Sequence, residues 1–250
     1  MTIALSIAAT AALYAWGVLR ARARGRAIAP LALAAFAAGL VALAASLEGP
    51  LDDLADSSLS WHMVQHFALT SVVAPLLLLG APVRVALAAA PPAGARALAR
   101  VLASRPVAFL TQPAIAWLQF MLVLYGAHFS PLYEAALENE TVHAFEHLAL
   151  LGSALIFWTP VLAVAPAPHA PSHLVRILMV FLALPVMSFL GFIFYVAHRV
   201  FYAHYAALPG ALADQTNAGA VMWIAGGAPL FAAMLALVAD WGARERRLET

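Results

Sequence analysis

The chain has 250 residues, 64% of them hydrophobic and only 10% charged, with a mean hydropathy of +0.90, whereas soluble domains carry about 25% charged residues. It therefore reads as an integral membrane protein surrounded by lipid, and its net charge of +1 leaves no positive surplus to hold a nucleic-acid backbone, so no nucleic-acid partner is expected. The absence of cysteine excludes disulfides, thiolate metal sites and cysteine nucleophiles.

Apolar runs long enough to cross a bilayer begin near Thr2, Pro30, His62, Pro106, His143, Leu174 and Asn217, which predicts an all-α polytopic membrane protein, a seven-transmembrane-helix bundle. The first run has no basic residue before it and is followed by Arg20, Arg22, Arg24 and Arg26, the reverse of a secretory signal peptide. Arginines in short loops stay cytoplasmic. Arg84, Arg96, Arg100 and Arg105 follow the third run, Arg176 follows the fifth, and Arg244, Arg246 and Arg247 follow the seventh, which places all of the chain's arginines except Arg199 on one side. The other side receives Glu48, Asp52, Asp53, Asp56, Glu134, Glu138, Glu140, Glu146 and Asp214. The expected topology has the N-terminus outside and the C-terminus cytoplasmic. Pro75, Pro113, Pro160, Pro185 and Pro229 are expected to kink helices. Residues 88–95 and 165–171 read as cytoplasmic loops, and residues 1–250 as a single transmembrane domain.

On this topology His62 and His66 open the third span, His128 closes the fourth, His143 and His147 open the fifth, and His198 and His204 close or follow the sixth, all at the outer face. His169 and His173 fall in a cytoplasmic, proline-flanked segment expected not to be helical. Residues four apart share a helix face with about 6 Å between Cβ atoms, so His62/His66 and His143/His147 can each present two imidazoles to one ion. Nine randomly scattered histidines would give roughly 0.3 such pairs, so two on predicted helices point to a metal site. Both pairs read His-x-x-[Gln/Glu]-His, and Gln65 or Glu146 can orient an imidazole, or Glu146 can bind the ion itself.

His128, His198 and His204 are alternatively interface residues. Asp214 and Gln215 either cap the seventh helix or face the histidines. Met63, Met187 and Met222 either supply thioethers or simply pack. The aromatics Trp61, Tyr125, Tyr133, Tyr202, Tyr205 and Trp241 read as interfacial anchors. Imidazole suits zinc, copper, iron and nickel. An outer-face site without thiolates and near methionines favours copper, as Cu(I), while a zinc-dependent membrane hydrolase with Glu146 as general base is the enzymatic alternative. A scaffold whose histidines only satisfy one another is a third.

The run His62-Met63-Val64-Gln65-His66 leading into Ala74-Pro75-Leu76-Leu77-Leu78-Leu79-Gly80-Ala81-Pro82 resembles the hallmark of the bacterial CtaG-type cytochrome c oxidase assembly proteins. Later blocks follow in order: Val142-His143, Glu146-His147, Phe157-Trp158 with Pro160-Val161, Phe189-Leu190-Gly191, and Asp214-Gln215 with Ala218-Gly219, Met222-Trp223 and Gly226. The resemblance covers roughly residues 30–241. It implies a non-enzymatic, copper-binding assembly factor in the bacterial cytoplasmic membrane that helps insert copper on the outer side. Its expected partners are cytochrome c oxidase subunits or another copper chaperone, and a homo-oligomer is left open. His62, His66, Glu146, His147 and Asp214 match the family's motif positions, and His143 joins them. The segment Phe201-Tyr202-Ala203-His204-Tyr205 departs from a proline-containing family element, so His204 receives no role from the resemblance.

Overall fold

The computed structural model describes residues 2–165 and 170–248, and these are arranged as helices joined by short turns. The first two helices, α1 (Thr2–Ala23) and α2 (Pro30–Leu47), precede the short acidic α3 (Pro50–Ser57). A bent run follows, made of α4 (Leu59–Phe67), a π-helical turn (Ala68–Val73), α5 (Ala74–Leu79) and α6 (Pro82–Ala89). Two basic helices, α7 (Pro92–Leu102) and α8 (Arg105–Leu110), lead to α9 (Pro113–Phe129) and α10 (Pro131–Glu138). The chain closes with α11 (Glu140–Leu162), α12 (His173–Val196), the single turn α13 (Ala203–Ala206) and α14 (Ala211–Leu248).

By length and composition six helical runs can cross a membrane, at 3–23, 30–57, 59–89, 140–162, 173–196 and 211–247, and a seventh exists if α9 and α10, bent by 64°, cross as one. The expected fourth span does not start near Pro106. Residues preceding a proline disfavour helical ψ, so the helix breaks at Thr111 and Gln112 and restarts at Pro113.

Three other expectations are corrected. Residues 88–95 are not a loop: only Ala90 and Pro91 separate α6 from α7, because proline is well suited to the first helical position and alanine propagates a helix. His173 is helical, since Ser172 caps α12 by accepting a hydrogen bond from the Val175 amide. The last helix begins at Ala211 rather than near Asn217, which takes Asp214 and Gln215 into its first turns. His169 lies outside the described residues.

The packing is inverted relative to a soluble protein. Leu31, Val41, Leu148 and Ile224 are exposed, whereas His62, Gln65, His66, His128, Glu146, His147 and Gln215 are buried. Apolar side chains suit lipid, and polar groups are held inside the bundle where they can find partners. The tightest helix crossing joins α12 to α14, where a Cβ on Gly191 would lie 2.7 Å from the Gly219 carbonyl oxygen. Glycine at both positions lets the backbones touch.

The two ends of the bundle differ in charge. At one end Arg24 donates to the Ala90 carbonyl, Arg176 to the Val161 carbonyl, and Arg244 and His173 both pair with Asp240. The other end holds the acidic α3 and the histidine-bearing turns of α4, α9 and α11.

Candidate metal centre

The two His-x-x-[Gln/Glu]-His segments sit side by side, both at the start of their helices. His62 faces His143 with ring centroids 5.2 Å apart, and His66 faces His147 at 5.3 Å. The Nε2 atoms of His62 and His66 lie 3.0 Å apart. Two groups of ligand atoms each fall within 4.8 Å of one another: His62, His143 and His147, and His62, His66 and Glu146. His62 belongs to both.

Local sequence explains the placement. Ser58 caps α4 by accepting from the Trp61 amide. Asp214 then clamps the same turn from α14, accepting from the Ser58 hydroxyl at 2.9 Å, the Leu59 amide at 2.7 Å and the Ser60 hydroxyl at 2.5 Å. A carboxylate at a helix N-terminus satisfies otherwise orphaned amides. Asp214 therefore neither caps its own helix nor faces the histidines; it fixes the helix that carries two of them.

Past His66, the π turn runs up to Pro75 and leaves one carbonyl open. In a π turn the residue 75 amide would serve the Thr70 carbonyl, and proline has no N–H. The Trp158 indole donates to that carbonyl instead, at 2.9 Å. On the facing helix, Asn139 caps α11 by accepting from Thr141 and Val142 amides.

The orientation of His62 follows from Tyr205. The Tyr205 hydroxyl donates its one proton to the Ala55 carbonyl at 2.9 Å and lies 3.0 Å from His62 Nδ1. It must accept from that nitrogen, so His62 carries its proton on Nδ1 and offers the Nε2 lone pair to the cluster. Burial pushes the Tyr205 phenol well above the usual tyrosine range, so it stays protonated and keeps this role. Anchoring one imidazole nitrogen to direct the other is the usual way a ligating histidine is oriented.

The decisive feature is what lacks a partner. Both carboxylate oxygens of Glu146 are buried without a hydrogen bond, and so are His143 Nε2 and His147 Nε2. Glu146 Oε2 stands 3.9 Å from His66 Nε2. Burying a charge or a polar atom unpaired costs kilocalories per group, and several such atoms converging on one place is a deficit that a cation removes. Imidazoles with a carboxylate and no thiolate fit copper or zinc.

Above the cluster the bundle opens into a cavity of about 670 Å³ lined by Asp52, Asp53, Asp56, Glu140, His143 and His147 among others. An acidic mouth over low-dielectric walls concentrates cations.

The remaining candidates divide. His128 is buried next to the cluster, its ring 5.8 Å from that of His66, and its Nε2 contacts the Met63 sulfur at 3.3 Å. Gln65 does not touch an imidazole; its amide donates to the Ser46 carbonyl and to Asp52, both at 2.8 Å. His198 is exposed in the turn after α12. His204 is exposed as well, with its amide capped by Glu134. Met222 lines a small cavity with Met63 and Met187.

Three tyrosines expected at the interface are buried instead: Tyr133, Tyr202 and Tyr205 pack under the histidines, with Tyr133 5.2 Å from the His62 ring and stacked on Tyr202 at 4.0 Å. The positioning role of Tyr205 left no local signal, because α13 is one turn long and 143 residues separate Tyr205 from His62.

Comparison with known proteins agrees with the motif reading. The profile of the cytochrome c oxidase caa3 assembly factor family matches residues 12–244. An uncharacterised protein of Mycobacterium leprae is 27% identical over 248 residues, and uncharacterised proteins of Mycobacterium bovis and Mycobacterium tuberculosis are each 28% identical over 248 residues. These alignments cover 94% of this chain and 38% of each relative, so the chain spans little more than a third of the length of the curated relatives it matches. No solved structure matches the chain.

Proposed function

The chain belongs to the cytochrome c oxidase caa3 assembly factor family, and from that premise we propose that it binds copper as cargo and helps deliver it to the oxidase. The observation that carries this reading is the buried Glu146 carboxylate, with neither oxygen hydrogen-bonded, beside histidines whose ring nitrogens are also unpartnered. His62, His66, His143 and His147 are the ligands, with Glu146 as a further oxygen donor. Glu146 lies within ligand distance of two imidazoles, which supports direct binding over a role as general base and so favours a carrier over a hydrolase. The acidic mouth gathers the ion, and His143, the least buried of the four, meets it first.

The arginine-bearing end of the bundle is cytoplasmic by the charge rule, so the histidine end faces outward from the bacterial cytoplasmic membrane. Copper taken up there passes to an oxidase subunit or from another copper chaperone without crossing the bilayer. The test is a strain lacking the protein: it makes oxidase deficient in copper, and the wild-type chain, but not His66→Ala or His147→Ala, restores it. Full oxidase copper in that strain, together with a lipid or peptide hydrolysis abolished by Glu146→Gln, would replace this reading with the zinc hydrolase.

A further inference from the structure

On the far side of His66 from the acidic mouth lies a second chamber, a cavity of about 30 Å³ lined by Met63, His66, Thr70, His128, Met187 and Met222 among apolar residues. That is room for one water molecule or one ion. Its chemistry differs from that of the histidine–glutamate cluster: three thioethers and two imidazoles, and no carboxylate.

His128 makes the chamber more than a packing defect. Its Nδ1 lies 2.7 Å from the Leu124 carbonyl, and a carbonyl only accepts, so Nδ1 carries the proton and the neutral ring presents a lone pair at Nε2. That lone pair faces the Met63 sulfur at 3.3 Å. A thioether has no proton to give, so two buried acceptors confront one another with no donor between them. Charging the ring would bury an imidazolium with no carboxylate bonded to it, at a larger cost. A cation resolves the conflict: metal–nitrogen and metal–sulfur bonds of about 2.0 and 2.3 Å at a tetrahedral angle set their donors roughly 3.5 Å apart. The neighbouring Nδ1 of His66, 96% buried by its 4% relative exposure, also lacks a partner. Met187 and Met222 bring further sulfurs, and Gly226 on α14 leaves space beside the Met187 methyl, which a Cβ there would meet at 3.8 Å.

We infer that Met63, His128, Met187 and Met222 form a second site selective for a soft monovalent cation, Cu(I) or its analogue Ag(I), with His66 standing between it and the histidine–glutamate cluster. This deepens the copper-handling reading and rests on it for the identity of the physiological ion. Imidazole accepts zinc as readily as copper, whereas uncharged thioethers are soft donors suited to Cu(I), so it is the sulfurs that let this pocket sort the ion that the cluster, with its carboxylate, would accept less selectively.

The test uses the full chain purified in detergent and loaded anaerobically with Cu(I), with Ag(I) as a second probe. Because the chain has no cysteine, any sulfur in the copper X-ray absorption spectrum comes from methionine. The expected result is two equivalents of Cu(I) or Ag(I) per chain but one of Zn(II), with a sulfur shell around copper. Met63→Leu and Met222→Leu, which conserve side-chain volume, each remove the sulfur shell and one equivalent while leaving a nitrogen-bound one; two separate variants guard against a folding defect in either. His62→Ala removes the other equivalent and keeps the sulfur shell. Copper held by nitrogen and oxygen alone in the wild-type chain would overturn the second site and leave the cluster reading intact. Sulfur-bound copper with no nitrogen-bound equivalent would overturn the cluster reading and leave the second site standing.

Discussion

The same five-residue pattern opens α4 and α11, yet the bundle uses its two copies differently. On α4 the first turn and two of the motif side chains are tied down: Asp214 clamps the turn, Tyr205 holds His62, and the Gln65 amide nitrogen is anchored to Ser46 and Asp52, while His66 Nδ1 and the Gln65 amide oxygen have no partner. On α11 the functional atoms are loose, since Glu146, His143 and His147 present nitrogen or oxygen atoms with no protein partner. One helix supplies a preorganised wall and the other supplies adaptable ligands. A resident cofactor site gains from fixing every ligand, whereas a site that must release its ion gains from leaving half of them free.

The largest effect should come from the residue that both ligand groups share. His62→Ala removes a donor from each group and should weaken copper binding by well over about 10-fold, more than His143→Ala does, measured by competition with a Cu(I) chelator. An equal loss from His143→Ala would erase the distinction between wall and mouth.

The middle residue of each motif sharpens the comparison next. Glu146→Gln should lower copper affinity by about 10-fold while leaving thermal stability nearly unchanged, because Glu146 has no hydrogen-bond partner to lose. Gln65→Glu should do the reverse, lowering the melting temperature by setting a second carboxylate against Asp52 and changing copper affinity little. Equal affinity losses from the two substitutions would show that the two helices are equivalent.

A smaller effect is expected at the hidden support. Tyr205→Phe keeps the ring and removes the hydroxyl that accepts from His62, so copper affinity should fall by up to about 10-fold with the fold intact, and the Phe variant should retain more than Tyr205→Ala. Unaltered affinity in the Phe variant would mean that His62 is oriented by the ion alone.

Much of this was legible in the chain. Hydropathy marks the crossing helices, and the four-residue spacing of His62/His66 and His143/His147 places each pair on one helix face. The convergence of the two pairs rests on the alternation of helix directions, which sequence also supplies. What sequence hid are interactions between distant segments. Asp214 looks like the cap of its own helix, but α14 starts earlier and the carboxylate reaches α4 across 155 residues. Gln65 and Glu146 occupy equivalent motif positions, and only the surrounding helices decide that one is bonded and the other is not. Tyr202 and Tyr205 carry the composition of an interfacial belt, yet the short α13 folds them inward under the histidines. Pro106 marks no span because a second proline at 113 resets the helix.

These histidines and Glu146 are proposed to hold copper as one centre. Elemental analysis of the full chain, purified from its own membranes without added metal beside the His62→Ala variant, tests this most directly. The wild-type protein should carry copper, and the His62→Ala variant should lose the nitrogen-bound share of it. Stoichiometric zinc in the wild-type protein, or copper retained undiminished in the variant, would contradict this proposal.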